Sequence, residues 1–342
     1  MKSNYRYIVK AFMAMAVIAG TTSCDDFLDR EPMSSISPET YYSTAAQLEA
    51  NLNDEYPNVL PSFGQWTYGI FGEDKGTDNQ IEVNANDRYT QDRWKVPHSE
   101  SDNWKFERIY RINFFLSEAL PKFGEDMSGS QNTISGSVAT IKHYIGEMYF
   151  LRAYEYFKKL QLFGDFPIIN QPLADEMEAL REASKRFPRN EVARFIISDL
   201  DKAYAYMSDV DMATTRINKD AAMLVKSRVA LFEATWLQNF KGTAFVPGGE
   251  GWPGASLHNN YQYPSGNLDN EVKYFLEQAV EASKLVADKY KGNLTENTGV
   301  LQQSADDPSN PYFDMFAQED LSDVKEVLLW RQYARGLSTH NI

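Results

Sequence analysis

Carboxylates are the side chains of this sequence with the clearest capacity for chemistry. Glu73 and Asp74 are adjacent, and Asp78 follows them closely. A glycosidase needs two carboxyl groups held about 5 to 9.5 Å apart, one as acid and the other as base or nucleophile. Carboxylates could instead bind Ca²⁺ together with Asn79 and Asn84, although the spacing departs from the calcium-loop pattern D-x-[DN]-x-[DN]-G. Because the chain has 48 acidic residues, such groupings are expected by chance, and we predict neither catalysis nor a metal site from them.

The other residue types that support catalysis or metal binding are scarce. The four histidines are His98, His143, His258 and His340. They form no H-E-x-x-H or similar metal-binding spacing, and no G-x-S-x-G elbow, phosphate-binding loop or G-x-G-x-x-G turn follows a predicted strand. The sequence therefore predicts a protein that is not an enzyme and carries no cofactor.

Aromatic side chains are concentrated in two long segments that lack helical periodicity, residues 57–101 and 241–267. Loops of this length are uncommon in compact domains and are often functional. An aromatic ring can pack on the C–H face of a sugar while polar neighbours bond its hydroxyls. An alternative is that the rings only pin the loops to the core. The predicted ligand-binding residues are Trp66, Tyr68, Asp74, Asp78, Asn79, Trp252, Tyr261 and Tyr263.

Segments with helical periodicity must position these loops. Six helices are predicted. The first begins at Ser37-Pro38, and the next two span 102–120 and 138–163. The other three follow the capping residues Asn190, Asn218 and Asn270. Successive amphipathic helices of about 20 residues indicate a mainly α fold of tetratricopeptide-like stacked helix pairs with long aromatic-rich loops. The apolar run within residues 323–333 could instead form a buried strand.

The amino terminus has the order of an export signal. Three positive charges in the first ten residues precede an apolar run at 11–20, then small residues at 21–23 and Cys24. The apolar run is shorter than the roughly 20 residues of a membrane-spanning helix. Cys24 is the only cysteine, which excludes a disulfide within the chain. We predict a signal peptide over 1–23 and a lipidated Cys24 that anchors residues 24–342; a free thiol or an ordinary cleaved signal are the alternatives.

Charge excludes one class of partner. The formal net charge is −14 and falls to −17 without residues 1–23, which carry three basic and no acidic residues. A surface of this sign repels nucleic-acid phosphates and anionic lipid headgroups. We therefore predict no nucleic-acid binding and membrane attachment through the lipid alone.

Three motifs, in order along the chain, resemble the RagB/SusD family of outer-membrane lipoproteins. Residues 24–29 (C-D-D-F-L-D) are similar to the start of the mature family proteins. Residues 147–157 (E-M-Y-F-L-R-A-Y-E-Y-F) and 162–167 (L-F-G-D-F-P) resemble the most recognisable stretch of the family. Residues 219–232 are similar to its K-x-A-A…R-x-A-L helix, and Asn113 fits another recurrent position.

The resemblance implies a noncatalytic binding protein at the outer membrane, facing the cell surface. Its loops would capture a nutrient, commonly a glycan, and deliver it to a SusC-like TonB-dependent transporter. Family members commonly continue well beyond 342 residues, so the carboxy-terminal part of 24–342 is expected to be truncated. The alternatives are a surface glycoside hydrolase and a helical-repeat scaffold that binds only protein.

The motif residues themselves are interpreted as scaffold. They are Arg152, Gly164, Asp165 and Arg228. Gly164 is predicted to end the central helix in the left-handed αL conformation, and Arg152 is predicted to pair with a carboxylate between helices.

Overall fold

The structure is a computed structural model that describes residues 41–61, 80, 103–124, 126–208, 212–301, 303–304 and 306–333. The chain divides into two units, Met1–Tyr41 and Tyr42–Ile342. The helices and contacts below all belong to the second unit.

Helices dominate the described residues, which confirms the predicted mainly α fold. They are α1 (Ala45–Val59), α2 (Glu107–Phe123), α3 (Val138–Phe163), α4 (Met177–Ala183), α5 (Arg189–Tyr206), α6 (Lys219–Asn239), α7 (Leu268–Tyr290) and α8 (Pro311–Met315), with a 3₁₀ turn at Pro253–Ser256. Helix α3 packs against α1, α2 and α5, and α5, α6 and α7 then pack in succession. This is a stack of neighbouring helices, as the periodicity predicts.

The central helix α3 has the predicted bounds, Val138–Phe163. It is buried nearly all round, and the predicted inward residues Ile141, Ile145 and Met148 are inaccessible to solvent. Gly164 ends the helix with φ 68°, a positive value that favours glycine. Its amide N–H donates to the carbonyl oxygen of Leu160. Gly164 therefore ends the helix at positive φ as predicted, but its ψ of −103° lies outside the αL region, so the predicted αL conformation is wrong.

Two of the three predicted asparagine caps are wrong. Asn218 caps α6 as predicted, since its side chain accepts the amide N–H of Ala221. Helix α7, however, is capped by Asn267, whose side chain accepts the amide N–H of Asn270. Helix α5 begins at Arg189, which leaves Asn190 buried in the first turn. Where several residues near a helix start could cap it, tertiary contacts decide which one does.

The first two helices start later than predicted. Helix α1 begins after Thr44, which forms a capping box with Gln47; the predicted start at Ser37 lies outside the described residues. Helix α2 begins at Glu107 rather than at 102 and continues to Phe123, past the predicted end. No described helix is both long and apolar enough to cross a membrane.

The strand predicted within residues 323–333 is absent from this segment. The segment forms turns instead: the backbone N–H of Val324 donates to the carbonyl oxygen of Leu321, and that of Val327 donates to the carbonyl oxygen of Val324. Trp330 then bonds to Thr214 through both its amide and its indole N–H. The apolar side chains of this segment pack beside the start of α6 without a partner strand, which local sequence patterns could not reveal.

Buried ion pairs join the helices. Arg152 of α3 donates from Nε and Nη2 to the carboxylate of Asp199 in α5, at 2.7 and 2.8 Å. Its Nη1 donates to the side chain of Asn113 in α2 and to the carbonyl oxygen of Asn170. The prediction that Arg152 pairs with a carboxylate between helices is therefore confirmed.

Candidate functional site

Most of the predicted site residues lie outside the described residues. These are Cys24, Trp66, Tyr68, Asp74, Asp78 and Asn79. The remaining three, Trp252, Tyr261 and Tyr263, lie in the segment between α6 and α7, residues 240–267, called here the α6–α7 loop.

The three aromatic residues direct their polar ends into the protein. The Trp252 side chain is 5% exposed, and its indole N–H donates to Asp165 Oδ2 at 2.7 Å. The hydroxyl of Tyr261 exchanges hydrogen bonds with the Asn190 side chain, and that of Tyr263 donates to the carbonyl oxygen of Pro247. The Trp252 and Tyr261 contacts pin the α6–α7 loop to the end of α3 and to α5, whereas the Tyr263 contact lies within the loop.

Asp165, from the L-F-G-D motif, connects three parts of the site. One oxygen accepts the Trp252 indole N–H, and the other accepts the backbone N–H of Arg189 at 2.9 Å. Burial raises the pKa of the Asp165 carboxyl above its ordinary value, although these hydrogen bonds oppose the shift. The carboxylate therefore holds the end of α3, the start of α5 and the loop together.

A cleft of about 560 Å³ opens between the α6–α7 loop and the end of α3. It is called here the loop cleft. Four aromatic side chains line it: Phe163, Trp236, Phe245 and Trp252. Phe245 is 62% exposed, so one ring face is available to a ligand. Gln161 and Arg186 also line the cleft and add exposed polar groups.

The Trp236 wall is held rigidly from behind. The guanidinium carbon of Arg189 lies 4.0 Å from the ring centroid of Trp236, a cation–π contact. Glu233 fixes that guanidinium through two-pronged hydrogen bonds of 2.9 to 3.1 Å. The indole N–H of Trp236 donates to the carbonyl oxygen of Phe245 at 3.0 Å, which links helix and loop across the cleft.

A glycosidase would need two carboxylates that face a shared substrate in the loop cleft. Asp165 is the only carboxylate among the described residues that line it, and both of its oxygens accept N–H bonds. A pair of carboxylates facing a shared substrate is therefore not formed by the described residues of this cleft. Nor do the described residues contain a group of three or more His, Cys, Asp or Glu placed to hold a metal ion.

A larger cavity, of about 690 Å³, lies where the end of α1 meets α3, α6 and residues 326–332. Its lining is mixed: aliphatic and proline side chains are joined by four aromatic ones, Tyr56, Phe150, Tyr154 and Trp330, and by the polar side chains of Glu326, Arg331 and Gln332. Of the predicted ligand-binding residues that the structure describes, none lines this cavity. We favour the smaller loop cleft because the aromatic-rich α6–α7 loop forms part of it and because Trp252, a predicted ligand-binding residue, lines it.

Comparison with protein families matches residues 26–231 to the SusD-like family model described as starch-binding associating with outer membrane. The match covers more than half of the chain. This chain belongs to the SusD-like family. The family resemblance drawn from the three motifs is therefore confirmed.

Relatives of this SusD-like chain occur in Formosa agariphila. It is 25% identical to SusD-like protein P25 over 233 residues, which are 63% of this chain and 41% of that protein. It is also 25% identical to SusD-like protein P2 over 253 residues, which are 70% of this chain and 46% of that protein. The chain therefore spans less than half the length of these relatives.

Among solved structures, the chain is similar to a SusD-like carbohydrate-binding protein of Bacteroides fragilis, with 15% identity and a TM-score of 0.43. That alignment covers 75% of this chain and 42% of that one. It is also similar to a SusD-like carbohydrate-binding protein of Bacteroides vulgatus, with 14% identity and a TM-score of 0.41, covering 75% and 47% of the two chains.

Sequence reasoning missed several lining residues of the loop cleft. Phe163 and Trp236 lie on helices, where their apolar character indicates core. Arg186 lies in a short connection with no recognisable motif. Phe245 shares the aromatic-rich loop with the predicted residues, so the same compositional signal could have found it.

Glu271 ties the α6–α7 loop to α5. Its oxygens accept N–H bonds from Arg194 at 2.7 and 2.8 Å, from Asn190 at 3.0 Å and from the Ser265 amide at 3.2 Å. Burial acts to raise the pKa of this carboxyl, but the hydrogen bonds outweigh burial and hold the pKa below its ordinary value of 4.5.

We expect Glu271→Gln to destabilise the protein at neutral pH, and to do so less as the pH falls below about 4.5. A carboxyl whose pKa is lower in the folded state contributes stability above its unfolded-state pKa, and this contribution is lost as the pH falls through the folded-state pKa. Urea denaturation of both proteins, from neutral pH to about pH 3.5, measures the difference in unfolding free energy. A difference that does not change with pH would contradict this assignment.

Proposed function

We propose that this SusD-like chain is a noncatalytic carbohydrate-binding protein and that its loop cleft holds part of a glycan. The observation that carries the proposal is the gathering of four aromatic side chains in a cleft of about 560 Å³ beside exposed polar groups. The description of the family model, starch-binding associating with outer membrane, supports a carbohydrate as the ligand class.

Binding would rest on the exposed ring of Phe245 and the braced ring of Trp236. A sugar presents an apolar C–H face to such rings, while its hydroxyls bond to groups such as the Gln161 side chain. Because Arg189 and Glu233 fix Trp236 before a ligand arrives, little ordering of this wall is needed on binding. The described carboxylate of the cleft would position the loop and would not cleave the ligand.

We also propose that the protein acts from a lipid anchor at Cys24 in the outer membrane, facing the cell surface, and delivers its ligand to a SusC-like TonB-dependent transporter. The export signal at 1–23 and the outer-membrane association in the family description support this. Two or more acyl chains give stable attachment. A tethered binder raises the local ligand concentration beside the transporter, which needs no catalytic step.

We expect Phe245→Ala to weaken oligosaccharide binding by about tenfold to a hundredfold, because an aromatic ring that loses its apolar burial forfeits about 1.5 to 3 kcal/mol. Calorimetric titration of the purified chain with maltoheptaose, xylohexaose and mannohexaose measures this. The fold should be retained, since Phe245 is 62% exposed.

Phe316→Ala is the matched control, because Phe316 is 70% exposed and does not line the cleft. It should leave affinity unchanged. Chromatography of the same samples should show no shorter products; products would place the protein with the hydrolases. If the Phe245 variant and the original protein bind with equal affinity, the glycan site does not lie in the loop cleft.

A further inference from the structure

Building on the proposed function, we propose that the loop cleft selects glycans that carry an isolated acidic group, a carboxylate or a sulfate ester, and that Arg186 binds this group. The carbohydrate site would then discriminate by charge as well as by ring stacking.

The backbone around Arg186 is fixed from both sides. The next residue, Phe187, forms a two-bond bridge with Phe166, at 3.2 and 3.1 Å. The carbonyl oxygen of Arg186 contacts Nε2 of His258 in the α6–α7 loop at 2.8 Å. The side chain therefore leaves a rigid point at the edge of the cleft.

The guanidinium group is also held in place, but by an aromatic ring rather than by an acid. Its carbon lies 4.6 Å from the ring centroid of Trp104. Trp104 in turn packs edge-on against Phe163 and Phe166, each with ring centroids 4.9 Å away. Stacking of this kind orients a guanidinium while leaving its N–H edge open to a ligand.

Arg186 differs from Arg189, the other arginine that lines the cleft. Arg189 is buried and forms an ion pair with Glu233. Within the described part of the chain, Lys185 and Arg189 have ion pairs but Arg186 has none, although the charge of Arg186 acts on Asp165 and opposes the rise in the pKa of that carboxyl. The nearby Asp165 is engaged elsewhere, because its two oxygens accept N–H bonds from Trp252 and Arg189. An exposed, oriented guanidinium in a binding cleft is thus available to an anionic group.

The chemistry of the guanidinium indicates what would fill this position. Its planar N–H fork matches a carboxylate or a sulfate with two parallel hydrogen bonds, which a neutral hydroxyl cannot accept as strongly. The formal net charge of the chain is −14, which disfavours a densely charged polyanion. A single acidic group is less affected, because repulsion from distant surface charges is screened beyond about 8 Å at physiological salt.

The test compares matched ligands on the full chain. The hexasaccharides of glucose, xylose and mannose are used neutral, with one carboxylate, and with one sulfate ester. Reducing the carboxylate of a ligand to an alcohol removes the charge and leaves the sugar chain unchanged. We expect the acidic form of at least one backbone to bind about tenfold more tightly than its neutral or reduced form, and the carboxylate and sulfate arms identify the group that is preferred.

Arg186→Gln should abolish this preference, so that the acidic and neutral forms of a ligand bind this variant with the same affinity. Arg228→Gln is the control, because Arg228 is exposed on α6 and does not line the cleft; it should keep the preference. Neutral ligands that bind as tightly as acidic ones would overturn this inference and leave the proposed function intact. An acid preference that survives in Arg186→Gln would also overturn it, and no binding to any ligand of the panel would overturn both proposals.

Discussion

Replacing Asp199 with alanine should lower the unfolding free energy by about 3 to 5 kcal/mol. Asp199 is inaccessible to solvent, and the Arg152 side chain that it binds is 4% exposed. Burial acts to lower the pKa of Arg152, but Asp199 outweighs burial and raises it, so the arginine stays charged. Without Asp199, the buried cation would keep, among the described residues, only the neutral side chain of Asn113 and the carbonyl oxygen of Asn170 as hydrogen-bond partners, beside the rings of Tyr149 and Phe195. Urea denaturation at neutral pH measures the change.

Two further variants separate the loss of the ion pair from other effects. The double variant Arg152→Met/Asp199→Leu should recover most of the stability, because apolar residues of similar size often replace a buried pair without loss. Asp288→Ala removes an exposed partner of Lys284 within one helix and should leave the denaturation midpoint unchanged. An Asp199→Ala protein as stable as the original would show that this pair does not hold α3 to α5.

The ion pair of Arg152 and Asp199 is one of several buried pairs, and these pairs use some of the many acidic residues of the chain. Five described carboxylates with side chains at most 1% exposed each pair with an arginine from another part of the chain. The pairs are Glu55–Arg111, Glu147–Arg216, Asp199–Arg152, Glu233–Arg189 and Glu271–Arg194. Each of these carboxylates is thus committed to packing segments together. A large number of acidic residues is therefore no sign of catalysis by itself, because these five serve the scaffold.

The central helix could be predicted from the sequence because its signal is local and redundant. Apolar residues recur through all 26 residues of α3, and Gly164 ends it. The start of α7 was harder to assign, because Asn267 and Asn270 are both good capping residues and lie three positions apart. The local sequence of the apolar run that ends near Tyr333 does not show whether another segment pairs with it as a strand. Local patterns predict helices well, but pairing over long sequence distances is not visible in them.

The candidate site was predictable only in part, for a related reason. Loop composition pointed to Trp252, which lines the cleft, and to Tyr261 and Tyr263, which are not among its lining residues. Phe163 and Trp236 are 73 residues apart in the sequence and lie on different helices. They form a shared wall of the cleft only once α3, α5 and α6 have packed. Arg186 carries no signal of its own, because its position depends on the bridge between Phe166 and Phe187.

Trp252→Ala should show whether the α6–α7 loop is held by this ring. Trp252 is 5% exposed and donates to Asp165, so its truncation should cost about 3 to 5 kcal/mol of unfolding free energy and leave a half-buried carboxylate short of a donor. We expect oligosaccharide binding to be lost as well, because the loop carries Phe245 to the cleft. Urea denaturation and calorimetric titration of the same sample measure both effects.

Trp252→Phe separates the ring from its N–H. It keeps most of the apolar volume and removes only the hydrogen bond to Asp165, so the expected cost is about 1 to 3 kcal/mol. If binding follows stability through both variants, Trp252 acts by pinning the loop and the exposed rings of the cleft meet the ligand. A Trp252→Ala protein that keeps its stability and loses only binding would contradict the pinning role and make Trp252 itself the surface on which a sugar packs.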